Sequence, residues 1–448
     1  MELFGTAGIR GPVDERVTPE LALAVGRAAA ADGDEFVLGR DGRETSPALA
    51  SAVAAGLESG GATVRRVGDV PTPALAYASR GRRGVMVTAS HNPPADNGLK
   101  LFVDGREYGD DAEARIEERV ADDPEPAAWD EWGSATDLEV LERYREAVAD
   151  YAAGFGADPD GLTVAVDCGN GMGSAATPQV LRALGVDVRA LNATVDGHFP
   201  GRESKPTPES LADLRAFVAD GDADAGIGHD GDADRIALVD GDGEVVHEDT
   251  VLAVLAERYV RESAAGDPVV VTTPNASARV DERVTAAGGR VERTALGKLH
   301  EGLAAVRADG GAETEVVFAA EPWKHLHTGF GDWIDGVVSA AVLARLVAAS
   351  GLDRLTEPVT ERPYRKANVE CPDEGKATAM ERVKERLPER FPEATVETEY
   401  GVRLTFPDAS WVLVRPSGTE PYIRIYAESE DVDDLVTETV ETVERAVD

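Results

Sequence analysis

The chain has 448 residues, and 84 acidic against 45 basic side chains give a formal net charge of −39. A field of that sign repels nucleic-acid backbones and anionic membranes, and no apolar run approaches the roughly 18–20 residues that span a bilayer. No nucleic acid and no membrane are therefore expected among its partners. Only seven of the basic residues are lysines, a balance similar to that of proteins from halophilic archaea, where molar salt shortens the Debye length to ~3 Å. The length suggests about three or four domains of ordinary size. Cys168 and Cys371 are too few and too distant for a disulfide framework or a zinc cluster. The first residues, Met1-Glu2-Leu3-Phe4, lack the regions of a signal peptide, so a cytoplasmic enzyme is expected.

In chain order, Phe4-Gly5-Thr6-Ala7-Gly8-Ile9-Arg10-Gly11 sets three glycines around Arg10, so backbone amides and a guanidinium can approach a phosphate. A helix is expected over 19–31, a strand over 35–39, a helix over 46–60, a strand over 62–67 and a short helix after Pro73. The run Val85-Met86-Val87 reads as a buried strand that delivers Thr88, Ala89 and Ser90 at its carboxyl end. His91-Asn92-Pro93-Pro94 then breaks regular structure. One hydroxyl is thus presented on a constrained loop with an imidazole beside it and Lys100 ten residues on. A serine needs a neighbouring base or a charged setting before it attacks anything. Residues 122–132 read as an irregular surface segment before a helix over 138–153.

A strand over 162–167 runs into Cys168-Gly169-Asn170-Gly171-Met172-Gly173 and a helix over 174–184. The glycine spacing does not match a dinucleotide fingerprint and no P-loop lysine follows, so this is a tight strand-to-helix turn that permits close packing. His229-Asp230-Gly231-Asp232-Ala233-Asp234-Arg235 places three carboxylates at alternate positions between strand-like flanks. Oxygen ligands at that density suit a hard divalent cation, Mg²⁺ above all. Further on come strands over 268–272 and 316–319, a loop with Gly297 and Lys298, and Glu321-Pro322-Trp323-Lys324-His325. The last chemical stretch is Arg415-Pro416-Ser417-Gly418-Thr419-Glu420-Pro421, followed by Tyr422-Ile423-Arg424. Hydroxyls, amides and a guanidinium around one glycine make a phosphate cradle.

TASHNP followed by DNGLK is similar to the phosphoserine loop of the α-D-phosphohexomutase family, and DGDADR to its metal loop. RPSGTEP resembles its phosphate-binding loop, and FGTAGIRG its opening segment. The resemblance implies an α/β fold of four domains around a central cleft, three mixed α/β and the last a smaller α+β domain. The boundaries expected are 1–150, 151–249, 250–362 and 363–448. It implies a phosphosugar mutase that interconverts sugar 1-phosphate and 6-phosphate through a phosphoserine and a bisphosphorylated intermediate. The phosphoglucomutase/phosphomannomutase and phosphoglucosamine mutase activities are both open, and so is monomer or dimer. By resemblance Ser90 carries the phosphoryl group, with Arg10, His91 and Lys100 as acid/base, charge-stabilising or orienting partners. Asp230, Asp232, Asp234 and Ser90 hold Mg²⁺, and a bisphosphorylated sugar is the activator. Arg235, Gly297, Lys298, Glu321, Trp323, His325, Arg415, Ser417, Gly418, Thr419 and Arg424 bind the phosphorylated sugar. The sugar loop departs from the family's usual Glu-x-Ser-Gly-His, because Trp323 and Lys324 replace the serine and glycine. That departure leaves phosphopentomutase and a non-catalytic sugar-phosphate binder as alternatives, and the three aspartates leave a metal-dependent phosphatase as another.

Overall fold

The structure, a computed structural model, describes residues 3–5, 8–417 and 420–447. The chain divides into two compact units, one of Met1–Glu248 with Trp323–Thr356 and one of Asp249–Pro322 with Glu357–Asp448.

The first unit holds two sheets. In the first, Ile9–Pro12, Asp96–Val103, Arg83–Val87, Glu35–Arg40, Thr63–Asp69 and Ala135–Asp137 lie side by side in that order. Arg83–Val87, Glu35–Arg40 and Thr63–Asp69 run parallel, while Asp96–Val103 turns back antiparallel on Arg83–Val87. Phe36, Val37, Leu38, Val85, Met86 and Val87 are all buried, which is why these strands read as continuous apolar runs rather than alternations. Each such side chain contributes about 1.5–3 kcal/mol relative to exposure. The helices Pro19–Ala30 and Ser46–Ser59 cover one face. Thr18 caps the first by accepting from Leu21 N at 3.2 Å, the role that suits a threonine at that position. A Cβ at Gly56 would stand 2.2 Å from Leu23 O, so glycine sets how closely the two helices approach.

The second sheet runs Val245–Val246, Ile236–Val239, Ala225–His229, Thr163–Asp167, Asp187–Leu191. Ala225–His229 and Ile236–Val239 pair antiparallel, with His229 opposite Ile236. Residues 230–235 are therefore the loop of a buried hairpin, anchored by strands on both sides as their apolar flanks suggest. The glycine turn after Asp167 packs where close packing was expected. Met172 N donates to Gly231 O at 2.9 Å, and a Cβ on Gly171 would lie 2.6 Å from that oxygen.

Several elements depart from expectation. The single helix over 174–184 is a 3₁₀ turn, Met172–Ala175, then a helix Thr177–Ala183, with Ala176 out of helical geometry at φ −137°. Pro178 explains the restart, since proline is accommodated in a helix's first turn. The helix expected from 138 begins at Leu141. The strands Asp96–Val103 and Ala135–Asp137 carried no sequence expectation, the first because two prolines obscure its start.

In the second unit Arg290–Arg293, Asp267–Thr272 and Thr314–Glu321 form parallel pairs. The C-terminal sheet is wholly antiparallel, in the order Tyr364–Glu370, Tyr422–Glu428, Trp411–Pro416, Val402–Thr405, Thr395–Glu397. Helices Asp373–Arg390 and Val432–Val447 pack on it through Val383, Leu387, Val443 and Ala446. Among the described residues no helix is long and apolar enough to cross a membrane.

Candidate active site

Ser90 follows strand Arg83–Val87 and is fully buried. Its φ is +52°, a left-handed conformation that costs a non-glycine residue about 1 kcal/mol or more. The loop around it is over-determined. Arg43, buried, donates to the carbonyl oxygens of Ser90 at 2.9 Å, Asn92 at 2.7 Å, Pro93 at 2.6 Å and Asp96 at 3.0 Å. Ser204 Oγ also donates to Ser90 O, at 3.1 Å. Thr88 Oγ1 accepts from Ser90 N at 2.9 Å and donates to Asp41 Oδ2 at 2.6 Å.

Ser90 Oγ donates to Asp230 Oδ2 at 2.8 Å. Asp230, Asp232 and Asp234 are all buried, and one oxygen from each lies within 4.8 Å of the other two. The hairpin loop holds them there partly because Ala233 is left-handed, φ +58°, and because Gly231 tolerates Ser90 O and Ser204 Oγ where a Cβ would clash. His229 braces the loop's base. Its Nδ1 must carry the proton it gives Arg235 O at 2.8 Å, so its Nε2 accepts from Thr177 Oγ1 at 2.9 Å. Burial drives the pKa of His229 down to about 4 and keeps that neutral tautomer.

Cations surround the triad. Lys100 Nζ lies 3.3 Å from Asp232 Oδ2 and 3.0 Å from Asp234 Oδ2, and Lys324 Nζ lies 3.8 Å from Asp234 Oδ2. Thr72 Oγ1 donates to Asp232 Oδ2 at 2.6 Å. Lys100, Lys324 and Thr72 thus engage the Oδ2 atoms, while Asp232 Oδ1 and Asp234 Oδ1 are buried without a hydrogen-bond partner among the described residues. Two unsatisfied carboxylate oxygens beside Asp230 fit a hard divalent cation such as Mg²⁺. The two ends of the triad titrate in opposite directions. Burial raises Asp230 well above the usual carboxylate range, and Asp234 and Asp232 add to it. Burial acts the same way on Asp234, but Lys100, Lys324, Arg235 and Arg10 outweigh it and hold that carboxyl low. Burial alone would lower Lys100; Asp232, Asp234 and Glu107 prevail and keep it charged.

His91 Nδ1 is 3.4 Å from Ser90 Oγ. Burial, then the charges of Arg235 and Arg10, push its pKa down to about 2, which favours the neutral ring. Arg10, on strand Ile9–Pro12, keeps Nε and Nη2 buried with no hydrogen-bond partner among the described residues. Arg235 lies 3.8 Å from Asp230 and 3.9 Å from Asp234. Trp323 is left-handed at φ +68°, its carbonyl accepts from Ile236 N at 3.1 Å, and Lys205 Nζ stands 5.4 Å from its ring centroid. His325 turns inward: it is 1% exposed, and Ser339 Oγ sits 3.1 Å from its Nδ1 and 2.8 Å from His327 Nε2.

Ser90, Arg10, His91, Lys100, Asp230, Asp232, Asp234 and Arg235 thus converge in the first unit. Thr72, Arg43, Ser204 and Lys324 were not singled out from sequence as site residues. The run Arg40-Asp41-Gly42-Arg43 after a buried strand was the available signal for Arg43. In the second unit Gly297 has φ +75°, Lys298 begins helix Leu299–Asp309, and Glu321 ends strand Thr314–Glu321. Arg415 and Arg424 face each other in register on neighbouring strands, and Ser417 Oγ is buried without a partner among the described residues. Lys376 Nζ donates to the carbonyls of Ser417 and Glu420, both at 2.6 Å. Gly418 and Thr419, and Thr6 and Ala7 of the opening segment, lie outside the described residues.

Four descriptions of one family match in order: phosphoglucomutase/phosphomannomutase alpha/beta/alpha domain I over residues 1–127, domain II over 142–243, domain III over 247–364 and the C-terminal domain over 367–446. The chain belongs to this α-D-phosphohexomutase family. A phosphopentomutase of Thermococcus kodakarensis is 42% identical across 100% of this chain and 99% of its own length. A probable phosphoglucosamine mutase of Methanopyrus kandleri is also 42% identical, over 99% of this chain and 98% of its own. The crystal structure of a phosphoglucomutase/phosphomannomutase family protein from Burkholderia thailandensis superposes with a TM-score of 0.85 at 26% identity, covering 98% of this chain and 96% of that one. Phosphohexomutases are isomerases that move a phosphoryl group within a sugar, and the four-domain α/β architecture with an antiparallel C-terminal sheet is theirs.

Proposed function

We propose that this chain is a phosphosugar mutase that carries the phosphoryl group on Ser90. The observation that carries the reading is the buried Ser90 hydroxyl, hydrogen-bonded at 2.8 Å to one of three clustered aspartates. N–H groups of Arg10 and Arg235 that have no hydrogen-bond partner among the described residues, and whose charges act on neighbouring His91 and Asp234, support an anion at that centre. Asp230, Asp232, Asp234 and Ser90 would hold Mg²⁺, which when bound supplies charge neutralisation to a transferring phosphoryl group.

In the forward step a sugar hydroxyl attacks the phosphorus on Ser90. The new sugar O–P bond forms as the P–Oγ bond breaks, and the hydroxyl's proton ends, in net terms, on Ser90 Oγ. The bisphosphate reorients, and its other phosphoryl group returns to the serine by the reverse step. Lys100, Lys324, Arg10 and Arg235 stabilise the developing charge in a site already arranged for it. Arg415, Ser417 and Arg424 hold the phosphate that is not being transferred, with Gly418 and Thr419 completing that loop. Gly297, Lys298, Glu321 and Trp323 contact the sugar. Ser90→Ala should fold normally and lose at least about 10³-fold in turnover, while the wild-type peptide containing Ser90 gains the mass of one phosphate. Near-wild-type turnover in the variant overturns the mechanism.

The primary substrate class is a hexose or hexosamine phosphate interconverted between its 1- and 6-positions. A pentose phosphate is the second reading. Trp323 favours it, since an indole takes space a hexose would use and offers a single N–H. Replacing Trp323 with serine should raise kcat/KM for hexose and hexosamine 1-phosphates relative to pentose 1-phosphates by about 10–200-fold. Parallel profiles for the two proteins would remove the tryptophan from substrate selection.

A further inference from the structure

Arg403 lies on strand Val402–Thr405 of the second unit and is 2% exposed. Its Nη1 donates to the carbonyl oxygens of Pro274 and Ala276, and its guanidinium stacks over Trp411, 4.2 Å from the ring centroid. The other edge, Nε with Nη2, is buried and has no hydrogen-bond partner among the described residues. That edge is the one with two parallel N–H groups, the geometry that meets two oxygens of a single phosphate or carboxylate.

Arg403 lines a cavity of ≈ 480 Å³ together with Arg293, Thr398, Tyr400 and Gly401. Arg293 gives both Nη groups to Asp281, at 3.0 and 2.7 Å, and its Nε is likewise buried without a partner among the described residues. Two guanidiniums are thus placed at one hole in a chain of net charge −39. Burial, then repulsion from Arg293, lowers the pKa of Arg403 to about 9. Burying like charges with unmade hydrogen bonds is costly, and an anion between them relieves both terms. Glu292, Glu397 and Glu399 also line the cavity, each solvent-exposed. They disfavour a polyanion and can accept hydrogen bonds from hydroxyl or ammonium groups.

We infer that the second unit carries a further anion-binding site, in which Arg403 and Arg293 grip one oxyanion of a small hydroxyl- or amine-bearing molecule. The oxyanion is a phosphate monoester or a carboxylate. None of Arg415, Ser417 and Arg424 lines this cavity. Arg293 and Arg403 come from the stretches matched to domain III and to the C-terminal domain, so the ligand would fasten those two stretches together.

The test is calorimetric titration of the full chain with inorganic phosphate and, separately, with glutamate, at fixed KCl and without divalent metal. An Arg415→Ala background removes a phosphate-loop contribution. In that background one of the two probes should bind in a manner sensitive to the Arg403 and Arg293 substitutions, and that probe identifies the oxyanion's source. Adding Arg403→Lys, which keeps the charge and loses the double edge, should weaken it at least tenfold, as should Arg293→Gln on its own. If one of the added variants fails to fold, the other gives the same reading. Failure of both probes to bind in the background, or binding unchanged by Arg403→Lys and Arg293→Gln, overturns the site.

Discussion

Three non-glycine residues of the first unit, Ser90, Ala233 and Trp323, adopt left-handed backbone conformations in the loops that carry the serine, the three aspartates and Lys324. Strain of that kind costs about 1–3 kcal/mol each and persists only where the surroundings enforce it. Here Arg43, Ser204 and the hairpin do so. Lys324 shows what one side chain adds. Its ammonium is buried 3.8 Å from Asp234, where it would repel a divalent ion held by the triad and, on the proposed mechanism, favour a transferring phosphoryl group. Lys324→Met is expected to bind Mg²⁺ several-fold more tightly and to lose about tenfold in kcat; titration and turnover moving in the same direction would refute this balance. From sequence, Ser90 and the three aspartates could be picked out because each sits in a short contiguous motif, and the structure brings them together. Lys324 was read only as a departure in the sugar loop. Its place on Asp234, like that of Thr72 on Asp232, depends on residues far apart in the chain, and no local spacing encodes it.

Whole elements were legible to within a few residues wherever apolar runs were bounded by Gly, Pro or Asp, as in Arg83–Val87 and Pro19–Ala30. They were missed where prolines or short length hid the pattern, as in Asp96–Val103 and Ala135–Asp137. Helix Gly336–Ser350 illustrates an element fastened by one buried carboxylate. Asp335 caps it by accepting from Val337 N and Val338 N at 3.0 and 2.9 Å, and also takes Tyr144 OH at 2.8 Å and Trp333 Nε1 at 3.1 Å. Burial outweighs these four donors and pushes its pKa from 3.8 up to about 6. A raised folded-state value means the group's contribution is full below the unfolded pKa and is lost as pH rises through about 6. Relative to Asp335→Asn, which cannot ionise, wild type should therefore lose on the order of 3 kcal/mol between pH 4 and pH 7. Denaturant unfolding of both proteins across that range is the measurement, and parallel stability curves would show that the carboxyl ionises normally. Asp335→Ala, which strands four donors, should cost about 3 kcal/mol or more at any pH in the range.

At the scale of the molecule, the family and its four-part α/β construction were legible because ordered loop motifs span the chain. The identity of the sugar was not, since specificity rests on pocket shape, which a motif does not describe. Charge is the other global property. With 84 acids against 45 bases, self-repulsion opposes the folded state unless ions screen it. The melting temperature should rise by several degrees or more between low salt and molar KCl. A melt unaffected by salt would show that the acidic surface is already balanced locally.

Arg43 grips four carbonyl oxygens around Ser90, and the consequence is kinetic. If Ser90 carries the phosphoryl group as proposed, a serine so immobilised would not swing between two ends of a sugar, and the small molecule would do the turning. Each turnover would then be a race between tumbling in place and escape. Every escape would strand the enzyme with a bare hydroxyl, idle until another doubly phosphorylated sugar recharged it. On that mechanism a rigid loop would make the catalyst's working fraction depend on its own leaked intermediate.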